Sequence, residues 1–464
     1  MFHILKIFLI FFISVLILKS EDPGKNLPIK LKYADKMEEF PSPDGSVRQF
    51  VGNVSFQQGN VNVKCDRAIQ YLNQNRAELT GNVVFTQDDL ILKSAKINYD
   101  GNSGVAVSNT RVDITDRKTD ITANRGIYYS RTLMVDLFDN VTIKDDSVRI
   151  SADKIRYDRT THVSFANGNV AVEDDSSLTT CSVLEHNRDT RDSYAQGNVI
   201  IRGKYNEAIL TGDTLSNFPG IQYSQAKGHP VLFQIDSVRF TYKNTDSSEV
   251  WFETRYRFDT LSMSSDIMES RSEYGRQQYV FTGNVEIVRH NVNAKSGRAI
   301  YYKANDIITM DSTPILWLDS TQLYADSIVV GIVRKKLEIV KGYGSSILLM
   351  KDTLSDDRIN QLAGDFINIR ISEDTVRFIN AIGNSKSLYY MLSQESADGC
   401  DRKSADSIMI EFEKSEIAYI YWLGAVNAEY FPEIVVMDKV KDYYLPGFRW
   451  TSQKPTQKRL IVKK

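Results

Sequence analysis

The stretch TGNVVF, Thr80 to Phe85, returns in the same frame as VGNVSF from Val51, NGNVAV from Asn167, QGNVII from Gln196 and TGNVEI from Thr282. Its glycines are Gly52, Gly81, Gly168, Gly197 and Gly283, and the first four are separated by 29, 87 and 29 residues. Because 87 is three times 29, one period of 29 residues runs from Gly52 to Gly197. The two anchors that this period requires are present in degenerate form, as Thr110-Arg111-Val112 and Asp139-Asn140-Val141. A fixed period of this size is the signature of stacked supersecondary units.

Within each unit the first element alternates. Phe50, Gly52, Val54 and Phe56 share one face, as do Leu79, Gly81, Val83 and Phe85 in the next copy. Alternation with period two reads as a half-buried strand. The apolar pairs after the anchors are Val54/Phe56, Val83/Phe85, Val112/Ile114, Val141/Ile143, Val170/Val172, Val199/Ile201 and Val285/Ile287. On the opposite face stand Asn53, Asn82, Asn140, Asn169, Asn198 and Asn284. Stacked at the strand spacing of about 4.8 Å, these amides are expected to hydrogen-bond to one another as a ladder, with the Gly column leaving room on the apolar face.

A second element follows in every unit: CDRAIQY from Cys65, SAKINY from Ser94, ANRGIYY from Ala123, ADKIRY from Ala152 and SGRAIYY from Ser296. Their shared core is Ile-x-Tyr, giving Ile69/Tyr71, Ile97/Tyr99, Ile127/Tyr129, Ile155/Tyr157 and Ile300/Tyr302. Turns rich in Asp, Asn, Gly, Ser and Thr join the two strands, and no segment of the fold reads as a helix. The expected fold is all-β, an array of two-strand repeats of about 29 residues.

The composition agrees. The 464 residues are 42% hydrophobic and 25% charged with net charge −2, inside the globular range and without an electrostatic case for nucleic acid. Residues 1–20 contain a short apolar run between Lys6 and Lys19, which reads as a signal peptide or an uncleaved anchor of an exported protein. The remainder divides into a regular array over 21–225, a less regular continuation over 226–441, and a Pro/aromatic basic tail over 442–464. The tail segment LPGFRW, Leu445 to Trp450, is expected to dock on the array or on a neighbour.

Little here is catalytic. His162, His186, His229 and His290 have no metal-ligand spacing, no nucleophile motif is present, and neither an enzyme nor a cofactor is expected. Cys65 and Cys181 occupy the same slot four repeats apart, roughly 19 Å if each repeat adds one strand, so they are expected to be free thiols; Cys400 is the third cysteine. The pairs Asp88-Asp89, Asp145-Asp146 and Asp174-Asp175 recur at one place in the repeat, where calcium ligands and simple turn residues are the two readings. The apolar columns enclose either a sealed core or a groove wide enough for acyl chains.

With an exported chain, a repeated GNV strand and a small-polar-Ile-x-Tyr strand, the sequence resembles the OstA-like family, which includes LptA, LptC and the N-terminal domain of LptD. The resemblance implies an elongated, open β-jellyroll of two facing antiparallel sheets around an apolar trough. It further implies a periplasmic bridge component that binds the acyl chains of lipopolysaccharide and passes them toward the outer membrane. The trough would be lined by the Val and Phe/Ile pairs and the Ile-x-Tyr residues given above. The implied partners are LptC-like and LptD-like transport proteins joined by end-to-end strand pairing, with self-association open by the same edges. The chain is far longer than one LptA-type domain and lacks room for the barrel of LptD. Two rivals remain: a structural β-solenoid or adhesin-like protein with a dry core, and an outer-membrane β-barrel.

Overall fold

The computed structural model describes residues 27–43, 45–205, 208–244, 251–290, 292–333, 336–351, 358–372, 375–393, 396–413 and 416–458. Residues 1–20, read above as a signal peptide or an uncleaved anchor, lie outside them. The described residues are almost entirely strand, and they form two compact units. The first comprises Met1–Asp146 and Lys154–Thr160, the second Ser147–Asp153 and Thr161–Lys464.

In the first unit, consecutive strands pair antiparallel: Gly45–Gln58 with Val61–Tyr71, then Arg76–Gln87, then Leu90–Asp100. Each strand buries one set of residues before its midpoint and another after it. In Val61–Tyr71 the buried residues are Val61, Val63 and Cys65, then Ala68 and Gln70, so the alternation slips by one at Asp66-Arg67. The strand turns a corner there and continues in the facing sheet, so both halves present a side to the same interior. The next repeats make the corner explicit by breaking there. Val105–Ser108 and Val112–Asp116 pair with the two halves of Leu90–Asp100, and Thr119–Ala123 and Arg125–Tyr129 are likewise separate strands. Two antiparallel sheets facing one core form a β-jellyroll.

The second unit repeats this plan from Val163–Glu173 to Asn427–Pro432. Its later strands are long: Lys336–Lys351 has 16 residues, Thr375–Ser393 has 19 and Ser396–Glu413 has 18. The repeat there is no longer 29 residues, which is why the frame fades in the sequence while the architecture persists. Runs such as Ile347-Leu348-Leu349 are buried at every residue. A run without alternation marks a strand covered on both faces. The second cover is the C-terminal strap, residues 433–458, whose Val436, Leu445, Phe448 and Trp450 pack on Tyr324, Leu349, Leu388, Tyr390 and Cys400. The strap thus docks on the array, as expected for LPGFRW.

Candidate functional site: corners and apolar interior

The Gly-Asn pairs are the corners. Gly52, Gly81, Gly168, Gly197 and Gly283 have φ between 75° and 83°, and the Asn after each has φ between 44° and 49°. Two successive left-handed residues make a β-bulge, and the pairing register shifts across each one, as between Thr80 and Val83. Asparagine tolerates this conformation better than most side chains.

A carboxylate sits under each of four of these corners, from the preceding strand at Asp66 and Asp153 and from the break between two strands at Asp35 and Asp266. A Cβ on Gly81 would lie 2.4 Å from Asp66 Oδ2, and Asp35, Asp153 and Asp266 stand the same way beneath Gly52, Gly168 and Gly283. The Asn amide donates to the same carboxylate: Asn53 to Asp35 at 3.0 Å, Asn82 to Asp66 at 2.9 Å, Asn169 to Asp153 at 2.8 Å and Asn284 to Asp266 at 2.9 Å. The expected Asn-to-Asn ladder is therefore replaced by Asn-to-Asp pairs, because the bulge turns each amide sideways. Gly197 differs, resting on Ser182 instead.

The sequence reading missed these aspartates, although Asp66 and Asp153 stand at one position of the second element. It also missed Gly383-Asn384 on Asp365 and Gly344 on Asp326. Those corners lack the Val that completed the motif.

The interior of the first unit is filled. The Phe85 ring meets Tyr99 at 5.5 Å and Tyr128 at 5.6 Å, both edge-on. Hydrogen bonds then tie sheet to sheet at a constant separation of 41 residues: Tyr99 OH to Gln58 Oε1 at 2.5 Å, Tyr128 OH to Gln87 Oε1 at 2.8 Å, and Tyr157 OH to Asp116 Oδ2 at 3.2 Å. The Gln amides donate onward, Gln58 to the Gly101 carbonyl and Gln87 to the Ser130 carbonyl. Asp116 instead accepts from Arg159, a buried ion pair whose guanidinium also donates to Tyr128 OH. Burial pushes the Tyr128 phenol up to about 12. Such a ladder holds the sheets together, since each buried polar atom would be costly unpaired.

The expected lining residues divide accordingly. Val54, Phe56, Val83, Phe85, Val112, Ile114, Val141 and Ile143 are buried in the first unit, with Ile97, Tyr99, Ile155 and Tyr157. Ile69, Tyr71, Ile127 and Tyr129 are only half-buried, and Ala68, Gln70, Gly126 and Tyr128 take the inward positions instead. CDRAIQY and ANRGIYY carry one residue more between corner and Ile than SAKINY and ADKIRY, and one residue turns a strand's faces over. The same shift in the second unit puts Ala299 inward and leaves Tyr302 half-buried, with Ile300 still buried.

The second unit's interior is less complete. Val170, Val199, Val285 and Ile287 are buried, while Val172 and Ile201 are half-exposed, as are Leu210 and Leu232 farther along the same side. A larger apolar cluster follows, including Phe281, Leu348, Ile367, Ile379 and Ile408. Beside it opens a cavity of about 520 Å³, lined by Val292, Leu318, Leu337, Leu348, Met350, Ile369, Ile371, Val376, Ile379, Phe412 and Ile417. Asp319, Ser320, Lys351 and Asn360 stand among its polar lining. Its volume falls within the range of about 300–1,000 Å³ typical of small-ligand sites.

The acidic pairs have turn partners. Asp88 accepts from Asn60 at 3.1 Å, Asp89 pairs with Arg117 at 3.0 Å, and Asp146 lies 3.8 Å from Lys118. Asp174 caps the backbone amides of Ser176 and Ser177. All three cysteines are buried free thiols.

The fold and its corners define a class, the all-β jellyroll built from paired-strand repeats. Residues 27–125 match the family described as OstA-like protein. A solved structure is also similar: LptH of Pseudomonas aeruginosa, described as the LptA-homologous periplasmic component of the lipopolysaccharide transport device. It is 10% identical with a TM-score of 0.24, and the match covers 30% of this chain and 95% of that one. No curated protein matches.

Proposed function

We propose that this protein is a periplasmic component of lipopolysaccharide transport that takes lipid acyl chains into the apolar interior of its second unit. The observation that carries this reading is the cavity of about 520 Å³ beside the apolar cluster, with Phe412, Ile417 and Val376 half-buried at its wall. Apolar surface held half-open inside a well-formed fold has a cost in water that an acyl chain would remove, at roughly 25 cal/mol per Å². The match of residues 27–125 to the OstA-like family supports the same direction. In this reading LptC-like and LptD-like proteins, or a second copy, pair with free strand edges and complete a bridge toward the outer membrane.

The filled interior of the first unit favours a separate role for that unit as a structural spacer. Phe85 and Tyr128 are fully buried where an acyl chain would otherwise lie.

The test is native mass spectrometry of residues 21–464 expressed in a Gram-negative periplasm. A bound mass matching lipopolysaccharide, lost in Phe412→Asp, supports the reading. An apo mass that stays unchanged when lipopolysaccharide is added moves the second unit to the dry structural alternative.

A further inference from the structure

The cavity beside the apolar cluster is a slot with two walls. One wall is a cross-strand row, Val292, Leu318, Thr321, Met350 and Asn360, each directly opposite the next. Residues opposite one another in register share a face of the sheet. Tyr389 carries this wall onto one further strand. The other wall is built from the far ends of later strands, where Ile371 stands opposite Val376 and Phe412 opposite Ile417. All of these residues line the same cavity of about 520 Å³.

Between the walls the floor is closed. Leu348, Ile369 and Ile379 are 0%, 1% and 2% exposed. Above them Val292, Met350, Val376, Phe412 and Ile417 are only half-buried, although they line the cavity. The slot is therefore apolar along its walls and shut at its base. Its polar lining, Asp319, Ser320, Thr321, Lys351, Asn360 and Thr375, sits at or just beyond strand ends.

Volume and length point to the same occupant. A methylene needs about the space of a water molecule in the liquid, roughly 30 Å³, so about 17 carbons fill 520 Å³. An extended chain of about 17 carbons advances about 1.25 Å per carbon and is about 21 Å long. From Val292 to Tyr389 the first wall takes five steps between neighbouring strands, about 24 Å at the usual strand spacing. One chain lying along the slot fits both measures. Two chains side by side would have to be half as long, or the walls would have to part.

We propose that the slot seats a single acyl chain of about 16–18 carbons, lying across the strands, with its head group outside among the polar strand ends. The inference rests on the acyl-chain reading of the second unit and narrows it. A lipid with several chains lodges one of them here, and the others stay outside the slot.

The test is a chain-length series on the full chain: displacement of cis-parinaric acid by saturated fatty acids of about 8 to about 22 carbons, with bound chains counted by native mass spectrometry. Kd is expected to fall about fourfold with each added methylene and to level off near about 17 carbons, at one chain per protein. Val376→Trp, which narrows the slot, should move that break to shorter acids. A Kd that keeps falling to the longest acid, two or more chains bound, or a break that Val376→Trp leaves in place overturns the single-chain assignment and leaves the acyl reading standing. If neither cis-parinaric acid nor any fatty acid binds, the acyl reading of the cavity falls, and the single-chain assignment with it.

Discussion

Asn82 donates its side-chain amide to Asp66 at 2.9 Å, and the same carboxylate fills the space a Cβ would need on Gly81. The three residues form one device, in which the Gly-Asn pair supplies the left-handed bulge and the aspartate holds it from the neighbouring strand. Its recurrence at Asp35, Asp153, Asp266 and Asp365 makes it the unit from which both jellyrolls are built.

Gly81→Ala should therefore cost more than Asp66→Ala. The first adds a left-handed alanine, at roughly 1–2 kcal/mol, together with a steric contact against Asp66. The second removes one exposed hydrogen bond, worth about 1 kcal/mol. Urea midpoints of the two single variants and the double variant check this, and the double should cost less than the sum because the contact is gone.

Tyr128→Phe should destabilise by roughly 1–3 kcal/mol, because Gln87 Oε1 loses its buried donor. Tyr128 also predicts a dependence on alkaline pH. Its folded pKa is raised by burial from 10 to about 12, so its contribution is complete below pH 10 and is lost as pH rises through about 12. Chemical denaturation between pH 9 and 12 should show a shallower decline for Tyr128→Phe than for the unmodified protein.

Acid stability should depend on Asp136. The Arg156 guanidinium, donating at 2.6 and 2.8 Å, holds its carboxyl below the ordinary value of 3.8. The stabilisation is present above that value and is lost as pH falls through the lower folded one. Arg156→Ala should therefore be destabilising at pH 7, with the difference from the unmodified protein shrinking below pH 3.8. An equal difference at both pH values would contradict the assignment.

Removing residues 433–458 should expose the face beneath them. Cys400 is fully buried beside Val436 and Tyr390, and its thiol is pushed up to about 11 by burial. Labelling by a thiol reagent under native conditions should be slow in the full chain and much faster at Cys400 after the deletion. Slow labelling in both would mean that the strap does not seal this face.

Much of the fold could be read directly from the chain. The 29-residue frame, the strand alternation and the corner glycines are local features, and local features repeat in sequence. The Ile-x-Tyr residues were harder to assign. The one-residue difference between CDRAIQY and SAKINY is small to the eye but reverses which side chains face inward. Asp66 and Gln87 were not legible as partners, because the contacts they make lie 16 and 41 residues away.

The sequence by itself determined that this is a repeating all-β chain, because strand period and bulge conformation depend on neighbours along the backbone. Only the tertiary structure decided where the interior is full and where it is open. That outcome depends on how side chains from distant repeats meet. In the first unit Phe85, Tyr99 and Tyr128 converge and the Tyr-Gln bonds close the space. In the second, longer strands leave a cavity bounded by Phe412 and Ile371, while the strap seals the opposite face. A period specifies which residues point inward, but volume and shape complementarity specify whether they touch.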